Sequence, residues 1–290
     1  MKHGIFLPPF GEFASARRVA DLAVIAEGVG WDGFFVWDHM YAEPGMAVAE
    51  AWTTLAAVAT VTSRIRLGAL VTPLSRRRPW VLARQIATLD QLSGGRVIAG
   101  IGLGDDGWRE FSSLGEETSP RARGELLDES LAIVQQFLTG NGVAYHGRHF
   151  HLDAGPMLPT PVQDPLPMWA ALRWPNRKPL ARAARLQGCF PIFGASNRPA
   201  PPPVAEIAAL WAELTGLGAP RSLDVVVRCS LHRLDHNARA GVVADLGDAG
   251  VTWMLEGFGI TQDAANVTSH VAAGPPADRG GSPQEAGGLS

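Results

Sequence analysis

The most pointed cluster of chemically capable residues is Trp37-Asp38-His39-Met40, directly after an apolar run at 33–37. A histidine beside a carboxylate at a strand terminus can take or give a proton near neutral pH; a plain surface-loop histidine is the other reading. A second cluster, Gly100-Ile101-Gly102-Leu103-Gly104-Asp105-Asp106, closes another apolar run. Alternating glycines let a flat ligand or a phosphate approach the backbone closely. Their spacing is not that of a dinucleotide-binding turn, and glycines needed only for tight packing explain them equally well. Arg76-Arg77-Arg78 is either a solvated loop or a contact for an anionic cofactor tail. His146, His149 and His151 look like metal ligands on paper. Within a strand only 149 and 151 share a face, and no Cys or carboxylate stands at ligand spacing, so they read as a solvated hairpin and no metal site is assigned.

These clusters need elements to hold them. Short apolar runs at 2–7, 33–37, 65–71, 96–101, 167–172, 189–193, 223–230 and 251–256 suit parallel strands covered on both faces. Between them lie segments of helical period: Ala16–Val29, Ala49–Ser63, Pro79–Leu92, Arg121–Leu138, Pro203–Leu214 and Ala238–Ala249. Eight strands alternating with helices predict a (β/α)8 TIM barrel; an open doubly wound sheet is the alternative. The interval between the fourth and fifth strands is too long, and residues 140–165 read as an insertion containing a β-hairpin. One domain is expected over 1–273, with 274–290 a disordered tail rich in Gly, Pro and Ser.

Composition removes several function classes. The 290 residues carry 25 Lys+Arg against 28 Asp+Glu, a net charge of −3, with no basic block to hold nucleic acid. No run of 18 apolar residues offers a membrane span. The first residues read as a strand, not a signal peptide, and two cysteines, Cys189 and Cys229, make no disulfide framework, so the expected location is the cytoplasm.

The ordered set of motifs resembles bacterial-luciferase-like flavin or deazaflavin (F420) oxidoreductases. The resemblance is carried by Gly33-Phe34-Phe35-Val36-Trp37-Asp38-His39, Ile65-Arg66-Leu67-Gly68 and Thr72-Pro73. It continues through Arg78–Gln85, Thr88–Arg96 and Gly100–Gly104 to Ala249-Gly250-Val251-Thr252. It implies a barrel holding F420 or FMN at the C-terminal strand ends, with a non-proline cis peptide near Ala69–Leu70. It implies His39 as an acid/base or charge-stabilising group, Asp105 as a proton donor or ring-positioning group, and Glu12 on the substrate side. Cofactor contacts would come from Asp38, Ala69, Leu70, Thr72, Gly102, Gly104, Ala171, Leu172, Arg173, Arg177, Gly194 and Ser196. A small organic substrate and a homodimer are also implied.

The chain departs from the family at two places. Ala171-Leu172 stands where relatives commonly carry two glycines, and the closing helix, about Thr261–Ala272, is short. If Leu172 crowds the cofactor, Leu172→Gly improves binding; if it points away, nothing changes. His39, with Lys2 and Lys178 the only lysines among 25 basic residues, tilts the cofactor toward F420. An FMN-dependent monooxygenase using O2 and a barrel that has lost its cofactor are the alternatives. A metal-dependent hydrolase is disfavoured, because Leu7-Pro8-Pro9-Phe10 replaces the His-x-His such barrels place after the first strand.

Overall fold

Strands form where the sequence runs apolar without interruption, because both faces of a parallel sheet inside a helical shell are dry. The computed structural model describes residues 1–194 and 200–276. Its strands are β1 (Lys2–Leu7), β2 (Gly33–Val36), β3 (Arg66–Ala69), β4 (Thr72–Pro73), β5 (Ala99–Gly102), β6 (Val143–His146), β7 (His151–Ala154), β8 (Met168–Arg173), β9 (Gly188–Ile192), β10 (Asp224–Cys229) and β11 (Trp253–Gly257). Nine of them form one sheet in the order β3-β2-β1-β11-β10-β9-β8-β5-β4. β3 and β4 are two halves of one barrel strand, split at the Leu70–Val71 peptide, which is cis. That bond lies one residue beyond the expected Ala69–Leu70. β4 pairs with β5, and a Leu67–Val97 bridge joins β3 to the same neighbour, so the sheet closes almost completely. An open doubly wound sheet would leave two edges, and that alternative is set aside.

Around the barrel run α1 (Ala16–Gly28), α2 (Ala51–Val61), α3 (Pro79–Ser93), α4 (Pro120–Leu138), α5 (Arg177–Ala183), α6 (Val204–Gly216), α7 (His236–Asp248) and α8 (Ala264–Ala272). Pro79 and Pro120 open α3 and α4 at the position where a missing N–H costs nothing. Ser15, Ser119, Asp235 and Asp263 accept backbone N–H groups in the first turns of α1, α4, α7 and α8. The sequence reading missed α5, whose seven residues bury only Leu180 and Ala183, too few for a helical period to show.

Strand parity sorts the side chains into two cores. Ile5, Leu7, Phe34, Val36, Ala170, Leu172, Val227 and Met254 face the helices. Phe6, Phe35, Leu70, Ile98, Trp169, Phe190, Val226, Trp253 and Leu255 fill the barrel. Phe35, Trp169 and Trp253 pack with ring centroids 5.3–5.8 Å apart, so the interior is solid and ligand space is left only at the mouth.

The expected hairpin is β6–β7. Glu129 of α4 holds its turn, accepting the N–H groups of Arg148, His149 and Phe150 at 2.8–3.1 Å. Here the sequence reading is corrected: His149 lies in the turn, and the histidines that face each other are His146 and His151, cross-strand partners with rings 6.0 Å apart. Of the expected tail, residues 277–290 lie outside the described residues. Among the described residues no helix is long and apolar enough to cross a membrane.

Candidate active site

Loops at the C-terminal strand ends enclose a cavity of about 760 Å³, within the range of small-molecule sites. Phe6, Leu70, Val71, Ala171 and Phe190 of the barrel-side core line it, together with Trp37, Asp38, His39, Leu103, Gly104, Asp105, Arg173 and Arg228. Leu70 belongs to the barrel-side core and Val71 packs against it. Gly100 and Gly102 on β5 leave room for them: a Cβ at either would collide with Leu70 or Val71. Two of the alternating glycines are therefore packing glycines. Gly104 differs, since its φ of +75° turns the chain at the cavity wall.

His39 is fixed by a network that the local sequence does not reveal. Its Nδ1 lies 2.7 Å from Oε1 of Glu110, and Oε2 of Glu110 accepts the Met40 N–H at 2.9 Å and an Arg76 guanidinium N–H. Arg76 also donates to the Asp38 carbonyl at 2.8 Å and to its carboxylate at 3.0 Å. Arg77 donates to both Asp38 oxygens at 2.8 Å and reaches Glu50 at 3.3 Å. Burial raises the pKa of Glu110, but His39, Arg76 and the Met40 N–H outweigh it and hold the carboxyl below the usual glutamate range. An ionised Glu110 accepts only, so His39 donates from Nδ1 and keeps Nε2 for a ligand. Phe10, Trp37 and Trp108 pack around the half-buried imidazole with centroids 4.9–6.0 Å away.

Both sequence readings of Arg76-Arg77-Arg78 are thereby corrected: Arg76 and Arg77 are interior counter-ions, and only Arg78 is exposed, over Trp80. Asp38 lines the cavity, yet its carboxylate is occupied by two arginines, which makes it a positioning residue. Asp105 is exposed on the wall, its Oδ1 accepting the Gly107 N–H at 2.7 Å.

Of the other expected site residues, Leu70, Ala171, Leu172 and Arg173 lie on the cavity wall. Glu12 does not; it is exposed, pairs with Arg18 at 3.1 Å and faces the start of α8. Ala69 points to the helices, and Thr72 is buried, accepting the Trp52 Nε1–H at 3.1 Å. Gly102 lies against Val71, while Arg177 and Gly194 are exposed away from the wall that Lys178 and Arg182 reach. Ser196 lies outside the described residues. The sequence reading missed Glu110, whose partner His39 is 71 positions away. It also missed Arg228, whose guanidinium lies 5.8 Å over Phe6 and over Trp37. Arg228 had a usable signal, because it shares parity with inward-facing Val226.

The departure at Ala171-Leu172 resolves by the same parity. Ala171 faces the barrel, while Leu172 is 2% exposed and packs in the outer core. Leu172 thus borders the cavity while its side chain packs against the helices. Leu172→Ala should cost about 2–4 kcal/mol of stability in a denaturant titration and leave cofactor affinity unchanged in a fluorescence titration. Tighter binding in the variant would put the side chain back against the ligand.

The cavity suits a flat, largely apolar ring with polar edges. Trp37 Nε1 is a buried donor with no hydrogen-bond partner among the described residues, and exposed Arg173 and Lys178 line the cavity.

Comparison with known proteins agrees with this architecture. Residues 1–232 match the family described as luciferase-like monooxygenase. A relative from Nakamurella multipartita, described as an F420-dependent glucose-6-phosphate dehydrogenase, is 32% identical over 190 residues, covering 60% of this chain and 54% of the relative. The chain thus spans about half the length of that dehydrogenase. The F420-dependent tetrahydromethanopterin reductase of Methanopyrus kandleri superposes with a TM-score of 0.73 at 20% identity, over 93% of this chain and 97% of the other. A monooxygenase from Streptomyces bottropensis gives the same TM-score and identity over 94% and 98%. At such identity these structures establish the fold alone.

Proposed function

Since the chain belongs to the luciferase-like monooxygenase family, we propose that it is an oxidoreductase moving a hydride between the deazaflavin F420 and a small organic substrate. The observation that carries this reading is His39, held by Glu110 at the wall of a 760 Å³ cavity with Nε2 left for a ligand. The F420-dependent relatives favour F420 over FMN.

When bound, F420 supplies a two-electron hydride carrier that needs no oxygen; binding, orientation and the proton are the protein's part. Leu70 and Val71 form the ledge on which a ring would rest, and the Gly104 backbone offers polar contacts at its edge. Arg173, with Lys178, holds negative charge at the cavity wall. His39 Nε2 takes or returns the substrate proton that accompanies hydride movement, and the Glu110 carboxylate stabilises the imidazolium while Nε2 carries it. Asp105 orients the ligand from the cavity wall. The aromatic rings around His39 fix the plane of the imidazole.

The remaining readings are a single domain over 1–273, a homodimer and a cytoplasmic location. Cys189 and Cys229 are buried free thiols, and burial pushes Cys229 up to about 12, which leaves it inert toward oxidants. The function is tested by following F420 absorbance with alcohols, aldehydes and enones under nitrogen. Turnover without oxygen is expected. Turnover that needs reduced FMN and O2 would replace this reading by the monooxygenase one.

A further inference from the structure

β11 carries one acid, Glu256, in an otherwise apolar strand, at the outward parity of Met254. Its carboxylate is 3% exposed and is met by histidines from two other elements. Nδ1 of His232, in the turn after β10, lies 2.6 Å from Oε1, and Nε2 of His270, in the last turn of α8, lies 3.8 Å from Oε2. One ligand atom from each of the three falls within 4.8 Å of the other two. Phe258 stacks on His232 at 5.3 Å and meets His270 edge-on at 5.8 Å, so one side of the cluster is dry. None of the three lines the cavity.

From this geometry we infer that His232, Glu256 and His270 form a binding site for one borderline divalent cation of the Zn2+ class. Two imidazoles and one carboxylate are the donor set such ions take, with a water completing the tetrahedron. An all-oxygen site for Ca2+ or Mg2+ would look different. The 2.6 Å His232–Glu256 separation is a hydrogen bond and widens by roughly 0.7 Å when both atoms ligate one tetrahedral ion.

The proton balance closes within the cluster. Gly259 N–H donates to Gln262 Oε1 at 2.9 Å, so the Gln262 amide nitrogen donates to His232 Nε2 at 2.8 Å and Nδ1 carries the ring proton toward Glu256. On metal binding that proton moves from Nδ1 to Nε2, and Gln262 turns its amide to accept it. The exposed Gly259 N–H then turns to water. A ligating histidine with its second nitrogen bonded to an amide oxygen is the usual outer arrangement.

The place in the fold gives the ion a task. The closing helix α8 has nine residues, buries Val267 and Val271, and is tied to Trp31 Nε1 through the Val271 carbonyl at 3.0 Å and to Glu12 through the Ala264 N–H at 3.4 Å. A metal clip joining the β10 turn, β11 and α8 adds a further attachment for this short helix. It acts whatever ligand the cavity takes.

The test uses the full chain stripped with EDTA and then titrated with Zn2+ or Co2+ alone. One-to-one binding, visible absorption of tetrahedral Co2+, and a Tm rise of roughly 5 °C under saturating Zn2+ are expected. His270→Ala, at a partly exposed position, should weaken binding roughly 100-fold and abolish the Tm rise. Glu256→Gln should do the same, and His146→Ala with His151→Ala, in the hairpin, should change neither. The inference is overturned if the stripped protein binds neither ion below about 100 µM, or if His270→Ala binds Zn2+ as the parent does.

Discussion

Replacing His39 with alanine should lower the rate of hydride transfer roughly 100-fold or more while cofactor affinity stays within about threefold. The asymmetry follows from where the imidazole stands. It is one side chain on a wall whose area comes from Phe6, Trp37, Leu70, Val71 and Phe190, so ground-state binding survives its removal. The proton that accompanies hydride movement loses its carrier, and the loss falls on the chemical step. Single-turnover rates under nitrogen, set beside a fluorescence titration of the same variant, separate the two effects. Unchanged turnover in His39→Ala would remove the residue from the mechanism.

The second large effect belongs to Glu110, which never faces the ligand and is 1% exposed. Glu110→Ala leaves Arg76 without one of its two carboxylate partners and His39 without its anchor, and should cost about 3–5 kcal/mol of stability, a large share of what a typical domain possesses. Glu110→Gln keeps the shape and the Met40 contact but not the charge. It should fold, lower kcat and leave KM nearly unchanged, which a purely structural role would not do.

The pH dependence has a definite sign. Glu110 is held below the ordinary glutamate value in the folded protein, so its contribution is fully present above the unfolded value and is lost as pH falls through the folded one. The stability gap between the parent and Glu110→Gln should therefore be widest near neutrality and close below about pH 4. A gap that persists undiminished in acid would mean that the carboxylate charge is not what Glu110 contributes.

Much of this architecture was readable before any coordinate. Uninterrupted apolar runs and the alternation of two periods located all eight barrel strands, because burial on both faces leaves a signal in every residue. The position of His39 was readable too, since a strand end fixes which residue meets the cavity. Contacts between distant loops were not. Nothing near Glu110 distinguishes it from exposed acids such as Glu116, and nothing in Arg76-Arg77-Arg78 says that two of the three are interior. Leu172 shows the opposite case: its direction follows from counting parity along β8, where Trp169 and Ala171 face in and Ala170 and Leu172 face out. Glu12 shows the limit of a carried-over role, since the 3-10 turn Gly11–Phe13 aims it at Arg18.

The central claim is that the cavity at the barrel mouth is built for a deazaflavin. Its most direct test is a pair of titrations of the purified protein, one with F420 and one with FMN, read as two dissociation constants. The account predicts saturable one-to-one binding of F420 in the micromolar range or tighter, with FMN at least about tenfold weaker. Binding of neither, by a protein whose fold is intact, would contradict it.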